Sequence, residues 1–241
     1  MTTRVLALES ATEACSVALW VDGAIESCYH LAPQQQRQQL LPMVAQLLAQ
    51  AGLSLTALDA VAVSQGPGSF TGVRLGLGVA QGLAFGADRP LVGLSTLMIL
   101  AQGAYRLSRS EQVVAAIDAR LKQIYWGSYQ RQGEGWQAVT AEALSTPLTP
   151  LDFLAEYPGA WSRVGTGWSV INAQQGSEPL AAPALLYPHA QDLLPLAVAA
   201  WQRGEAVAAM QVRPCYLRDQ VALTKQDRAV TGSLQGYSPR Q

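Results

Sequence analysis

The sequence predicts an α/β protein of two related halves, each opening on a β-hairpin. Two observations carry that prediction. Between about residues 58 and 107, apolar runs of strand length alternate with apolar-periodic runs of helix length, the order that gives parallel strands covered by helices. An internal repeat is the second: VLALES near the start aligns with VAAIDA in the middle, so Glu9 and Asp118 each place a carboxylate where an apolar strand enters a turn.

Taken in order, RVLALES, the bend ATEA and CSVALWV predict the first hairpin, and DGAIESCYHL a third strand. LLPMVAQLLAQAG follows, with Leu40, Val44, Leu47, Leu48 and Ala51 on one helical face and Gly52 as its stop; the glutamines at 34–36 and 38–39 are its solvated first turns. ALDAVAVS reads as a buried strand, GPGS as a loop, and Phe70 to about Gly86 as a helix with Ser69 available to cap it. PLVGLS and TLMILAQGAYRL repeat strand then helix. The second hairpin begins at Gln112 with VVAAIDAR and KQIYWGSYQR. WQAVTAEAL, WSRVGTGW and a strand near Leu185 are expected to extend its sheet, and QDLLPLAVAAWQRG is a late helix. The lobes are expected at 1–108 and 109–223, with a polar, breaker-rich tail at 224–241 that should be disordered.

Residues 65–86, QGPGSFTGVRLGLGVAQGLAFG, hold seven of the 21 glycines, five of them inside the expected helix. Each costs a helix roughly 1 kcal/mol relative to alanine, so they need a reason. A phosphate cradle is weakly supported, because G-x-G-x-x-x-G is followed by no lysine, although the helix N-terminus still offers free N–H groups. Packing is the better reason. At 100° per residue the five glycines fall within an arc of roughly 160°, leaving one face nearly bare backbone for close approach. What approaches, the chain's own sheet or a partner helix, is open from periodicity alone.

Composition narrows the chemistry. With 16 basic and 17 acidic residues and no basic run, the chain has no electrostatic grip on nucleic acid of its own. Cys15, Cys28 and Cys215 are spaced for neither disulfides nor a thiolate metal site, and no signal peptide or 18-residue apolar run is present, so a cytoplasmic protein is expected with no membrane partner. His30 and His189 lack the spacing of metal ligands, and no G-x-S-x-G turn exists, which argues against a metal site and a hydrolase. Glu9 and Asp118 are the carboxylates placed to face each other across a cleft, with Ser10, Thr12 and Ser16 adding hydroxyls. Merely capping strand ends is an equal alternative. The second bend, Ala119 to Lys122, has no glycine to wrap a phosphate. GTGW, with Gly165 and Gly167, is a candidate cradle for an adenine or phosphate.

VLALESATEACSVALW, LLPMVAQLLAQAG, GPGSFTGVRLGLGVAQGLA, GLSTLMILAQGA, AAIDARLKQIYW, VGTGW and YLRDQVA stand together in one order. In that order they resemble the TsaB (YeaZ) family of bacterial tRNA threonylcarbamoyladenosine biosynthesis, over about residues 4–223. The resemblance implies a two-lobed actin, sugar kinase and Hsp70 (ribonuclease H-like) fold. It implies no catalysis by this chain alone but a scaffold for a TsaD-like transferase that acts on position 37 of tRNA, with a TsaE-like ATPase joining and tRNA held only through the complex. ATP or ADP and a metal are then expected in the partners, with none required here. It further implies a helical-bundle interface, shared with the partner or with a second copy when the chain is alone. Family and periodicity together put Leu40, Val44, Leu47, Gly72, Leu75, Gly76, Val79 and Leu83 there. Glu9 and Ser10 replace the family's usual aspartate and threonine, so Glu9, Ser10, Asp118, Gly165 and Gly167 are expected to form at most a vestigial nucleotide pocket. The rival reading is an ATP-dependent small-molecule kinase of the same fold.

Overall fold

The computed structural model describes residues 3–31, 33, 35–175 and 185–218. Its chain begins with a meander of three antiparallel strands, β1 (Arg4–Glu9), β2 (Ala14–Val21) and β3 (Ala24–Leu31). Helix α1 (Gln36–Gln50) then leads to β4 (Ala60–Ser64), α2 (Phe70–Gly86), β5 (Leu91–Leu94) and α3 (Thr96–Ser108). β4 runs parallel to β1 and β5 parallel to β4, which gives one sheet in the order β3-β2-β1-β4-β5.

A second hairpin, β6 (Gln112–Arg120) and β7 (Gln123–Gln132), carries β8 (Gly135–Ala138) and β9 (Ala143–Ser145) on β7. Helix α4 (Thr149–Glu156) precedes β10 (Ser162–Val164), parallel to β6, and α5 (Gly167–Gln175) follows it. The last helix is α6 (Ala190–Gln202). The strand expected near Leu185 is not formed; the Leu185 carbonyl instead accepts a bond from the Gly165 amide at 2.6 Å. The expected tail, 224–241, lies outside the described residues.

Strand alternation sets the layers. Leu6 and Leu8 point to the face covered by α1 and α2, where they meet Leu40, Val44, Leu47 and Leu77. Val5 and Ala7 point to the opposite face, covered by α6 through Leu193, Leu194 and Ala197. Alanines at 7, 18, 60 and 62 keep that face shallow, so α6 can lie close to it. α6 belongs to the later half of the chain yet packs on the first sheet, because its apolar stripe matches that face. Its Asp192 receives the Arg106 guanidinium at 2.6 Å, tying it to α3, which packs on the second sheet through Leu97, Leu100, Ala101 and Ala104. α5 and α4 cover that sheet's far face with Trp168, Ile171 and Phe153.

Residues 205–218 form a strap. Val207 bridges to Leu91, a 3-10 turn at Ala209–Gln211 rests on α2, and Gln81 donates to the Val212 carbonyl at 3.1 Å. Cys215 donates to the Gln65 carbonyl at 2.7 Å, and Arg218 reaches the second lobe, donating to the Ala119 carbonyl at 3.0 Å.

Candidate functional site: an interlobe cleft and an open helix face

The turns that close the two hairpins face each other across a cleft of about 280 Å³. One wall is Ala11, Thr12 and Glu13 with the loop from Pro67 to Phe70; the other is Ile117 to Arg120. The end of the strap, Cys215 to Arg218, completes it. The second turn is built without glycine: Arg120, Leu121 and Lys122 all sit at positive φ, between 53° and 64°. Such conformations cost a side-chain-bearing residue on the order of 1 kcal/mol or more each, and Asp118 helps hold them by accepting the Arg120 amide at 2.7 Å.

Asp118 and Arg120 also meet through their side chains at 3.0 Å, and the same guanidinium reaches Glu13 on the first turn at 2.8 Å. The two turns are therefore tied by Glu13–Arg120, a pair that the repeat did not reveal because only Asp118 matches Glu9 in register. At the rim Phe70 and Tyr216 stack with centroids 5.9 Å apart, and Arg74 lies over the Phe70 ring while donating to the Tyr216 hydroxyl at 2.6 Å. Nothing in the local sequence signalled that Tyr216, on the strap, would come to Phe70.

Glu9 does not face Asp118. Its side chain is 0% exposed and lines no part of the cleft, because odd-numbered residues of β1 point toward α6. Oε1 accepts the Ala11 amide at 2.7 Å, and Oε2 has no partner. Burial pushes its pKa up to about 7, against the pull of the Ser64 hydroxyl and the Ala11 amide. Ser10 is also buried and donates to the Gly72 carbonyl at 2.9 Å. Gly165, at φ +94°, and Gly167 press on the backbone of Ala116 in β6 and do not line this cleft. Of the five residues expected to form a vestigial nucleotide pocket, only Asp118 stands in the cleft.

These residues fit a nucleotide poorly in the isolated chain. The buried carboxylate cannot take a metal without leaving its site, and the Arg120 cation is already held by Glu13 and Asp118. Among the described residues no group of three or more His, Cys, Asp or Glu is gathered as for a metal ion. His189 caps α6, accepting the Gln191 amide at 3.1 Å, and stacks on Tyr29; burial drops its pKa to about 4.

The glycine helix divides its glycines between two tasks. Gly72 and Gly76 are buried; a Cβ on Gly72 would collide with the Ser10 carbonyl, and one on Gly76 would stand 2.5 Å from the Ser10 hydroxyl. Gly78, Gly82 and Gly86 have open space over them. Five of the eight residues expected at an interface thus face inward: Leu40, Val44 and Leu47 fill the chain's own core, and Gly72 and Gly76 seat the first turn. The bare arc is real but wider than the outer face. Leu75, Val79 and Leu83 remain half-buried at its edge, joined by Gly78, Gly82, Phe85 at 75% exposed and, on α1, Leu41 at 51%.

Two hairpin-led lobes, with the strand order 3-2-1-4-5 in the first and helices layered between the sheets, define an actin, sugar kinase and Hsp70-type α/β protein. The family model described as TsaD, tRNA N6-adenosine threonylcarbamoyltransferase, matches residues 30–226. A tRNA threonylcarbamoyladenosine biosynthesis protein TsaB of Escherichia coli K12 is 44% identical over 225 residues, 92% of this chain and 97% of its own. One from Haemophilus influenzae is 39% identical, covering 91% and 95%. Among solved structures, a Pseudomonas aeruginosa protein described as similar to peptidase YEAZ superposes with a TM-score of 0.81 at 47% identity, over 90% of this chain and all of that one. The chain belongs to the TsaB (YeaZ) family of tRNA threonylcarbamoyladenosine biosynthesis proteins.

Proposed function

We propose that this chain is a non-catalytic subunit of the machinery that makes threonylcarbamoyladenosine at position 37 of tRNA, where it scaffolds and activates a TsaD-type transferase. A TsaE-type ATPase joins the pair, tRNA is held through the complex, and nucleotide and metal belong to the partners. In the partner's absence a second copy takes its place. One observation carries the reading: the outer face of α2 is apolar and nearly bare. From Phe70 to Gly86 the helix has a single charge, Arg74, and its exposed arc is Gly78, Gly82 and Gly86 flanked by Leu75, Val79 and Phe85. A face without side chains lets a second helix approach to backbone distance and bury the flanking residues. The match to the transferase's own family model supports the reading, since a partner of the same fold would present an equivalent helix.

The sealed Glu9 weighs against the kinase reading, which needs a carboxylate open to metal or substrate. Replacing Gly82 with leucine tests the interface, because the site has room for the side chain in the free chain. Binding of the transferase subunit, followed by calorimetry, is expected to weaken at least tenfold while the melting temperature of the free chain stays within a few degrees. Unchanged affinity would remove α2 from the interface.

A further inference from the structure

Glu9 is the one fully buried carboxylate with an oxygen left unpartnered among the described residues, and it sits beneath a turn that seats a helix. Three hydrogen bonds run outward from it. The Ala11 amide donates to Glu9 Oε1 at 2.7 Å; the Ala11 carbonyl accepts the Ser69 amide, the N-cap of α2, at 2.7 Å; and the Ser10 hydroxyl donates to the Gly72 carbonyl at 2.9 Å. Gly68 and Gly72 lack side chains where the Ala11 and Ser10 carbonyls press on them, so the turn and the helix start form one tight contact.

We propose that the Glu9 carboxyl is a proton switch that sets how firmly the 10–13 turn is held against the N-terminus of α2. Protonated, Glu9 is neutral and tolerates a dry site. Ionised, the carboxylate faces the Ala11 amide and the Ser64 hydroxyl in a dry site with Oε2 left unbonded, while the turn beside it lines the cleft through Ala11, Thr12 and Glu13. Opening the turn admits water from the cleft and frees the Ser69 amide and the Gly72 carbonyl together.

The neighbours leave Glu9 as the group that titrates. From β2 comes Cys15, whose thiol is pushed up to about 11 by burial and by the Glu9 charge, so it stays neutral. β4 presents the Ser64 hydroxyl. On α6, Asp192 is held by Arg106 and His189 by Tyr29 and the Gln191 amide; on α2, Arg74 is turned outward to Tyr216. Glu13, in the turn itself, points to Arg120.

Amide hydrogen exchange on the isolated full chain tests this, independently of any partner. After correction for intrinsic rates, protection at Ala11 and Ser69 is expected to fall about tenfold per pH unit from the ordinary glutamate range up to about 7 and then level off, staying well below that of the amides in the middle of β6 and β7, which open only with the whole chain. Glu9→Gln should hold both amides flat over the same range. Flat protection in the wild type would overturn the proposal. So would protection at Ala11 and Ser69 equal to that of the middle of β6 and β7 at every pH, because Glu9 would then ionise only on global unfolding. The wild-type measurement decides even if the variant folds poorly.

Discussion

Gly72 and Gly78 lie less than two turns apart on one helix under opposite constraints. Gly72 meets the Ser10 carbonyl, so Gly72→Ala should cost the free chain about 1–3 kcal/mol in chemical denaturation, the scale of overpacking a close contact. Gly78 meets nothing, so Gly78→Ala should gain roughly 0.5–1 kcal/mol from helix propensity. Opposite signs at the two positions are the signature of a helix half seated and half left open; a gain at both would show the Ser10 contact to be soft. Glu9 adds a pH dependence whose sign follows from its raised pKa. The folded state holds the proton more tightly than the unfolded chain, so the Glu9 contribution is complete below about 4.5 and is lost as pH rises to about 7. Glu9→Gln should therefore stabilise the chain by about 3 kcal/mol at pH 8 and by little at pH 4.5, measured by urea denaturation at both. Burial of this carboxylate was not legible beforehand, because the strand-end position of Glu9 is compatible with either face until α6, distant in sequence, is known to cover one.

At the scale of elements, α2 was legible to its ends: Ser69 caps it, accepting the Gly72 amide at 3.1 Å, and it runs from Phe70 to Gly86. Propensity and capping are local, so sequence shows them. Which residues of α1 and α2 face outward is not local. Leu40, Val44 and Leu47 form the strongest apolar stripe, and such a stripe is what a helix spends on its own core, leaving a weaker set, Leu41, Leu75, Val79 and Phe85, exposed or half-buried at the surface. α6 depends on a different device. Asp192 is buried, and burial raises its pKa against the pull of Arg106, so the bidentate contact to Arg106 is what offsets its desolvation. Arg106→Ala should destabilise the chain by about 2 kcal/mol in denaturant, since a buried carboxylate loses its charged partner. A change under about 0.5 kcal/mol would mean that Asp192 is solvated.

Over the whole molecule, the two hairpins were readable because each repeats the same strand and turn, whereas the contents of the cleft between them were not. The cleft is set by Arg120, Arg218 and Tyr216, brought there by a turn at positive φ and by a strap from the far end of the chain. Glu13–Arg120 joins an exposed guanidinium to a half-buried carboxylate at the cleft mouth, so its loss should cost under about 1 kcal/mol in stability. Whether the chain activates another protein is decided by one reconstitution. Incorporation of labelled threonine into tRNA is measured with the reactive adenylate supplied, in three mixtures: this chain alone, the TsaD-type and TsaE-type subunits alone, and all three. For a non-catalytic activating subunit, sustained incorporation is expected in the complete mixture only. Equal incorporation without this chain would remove the activating role, and incorporation by the chain alone would make it an enzyme.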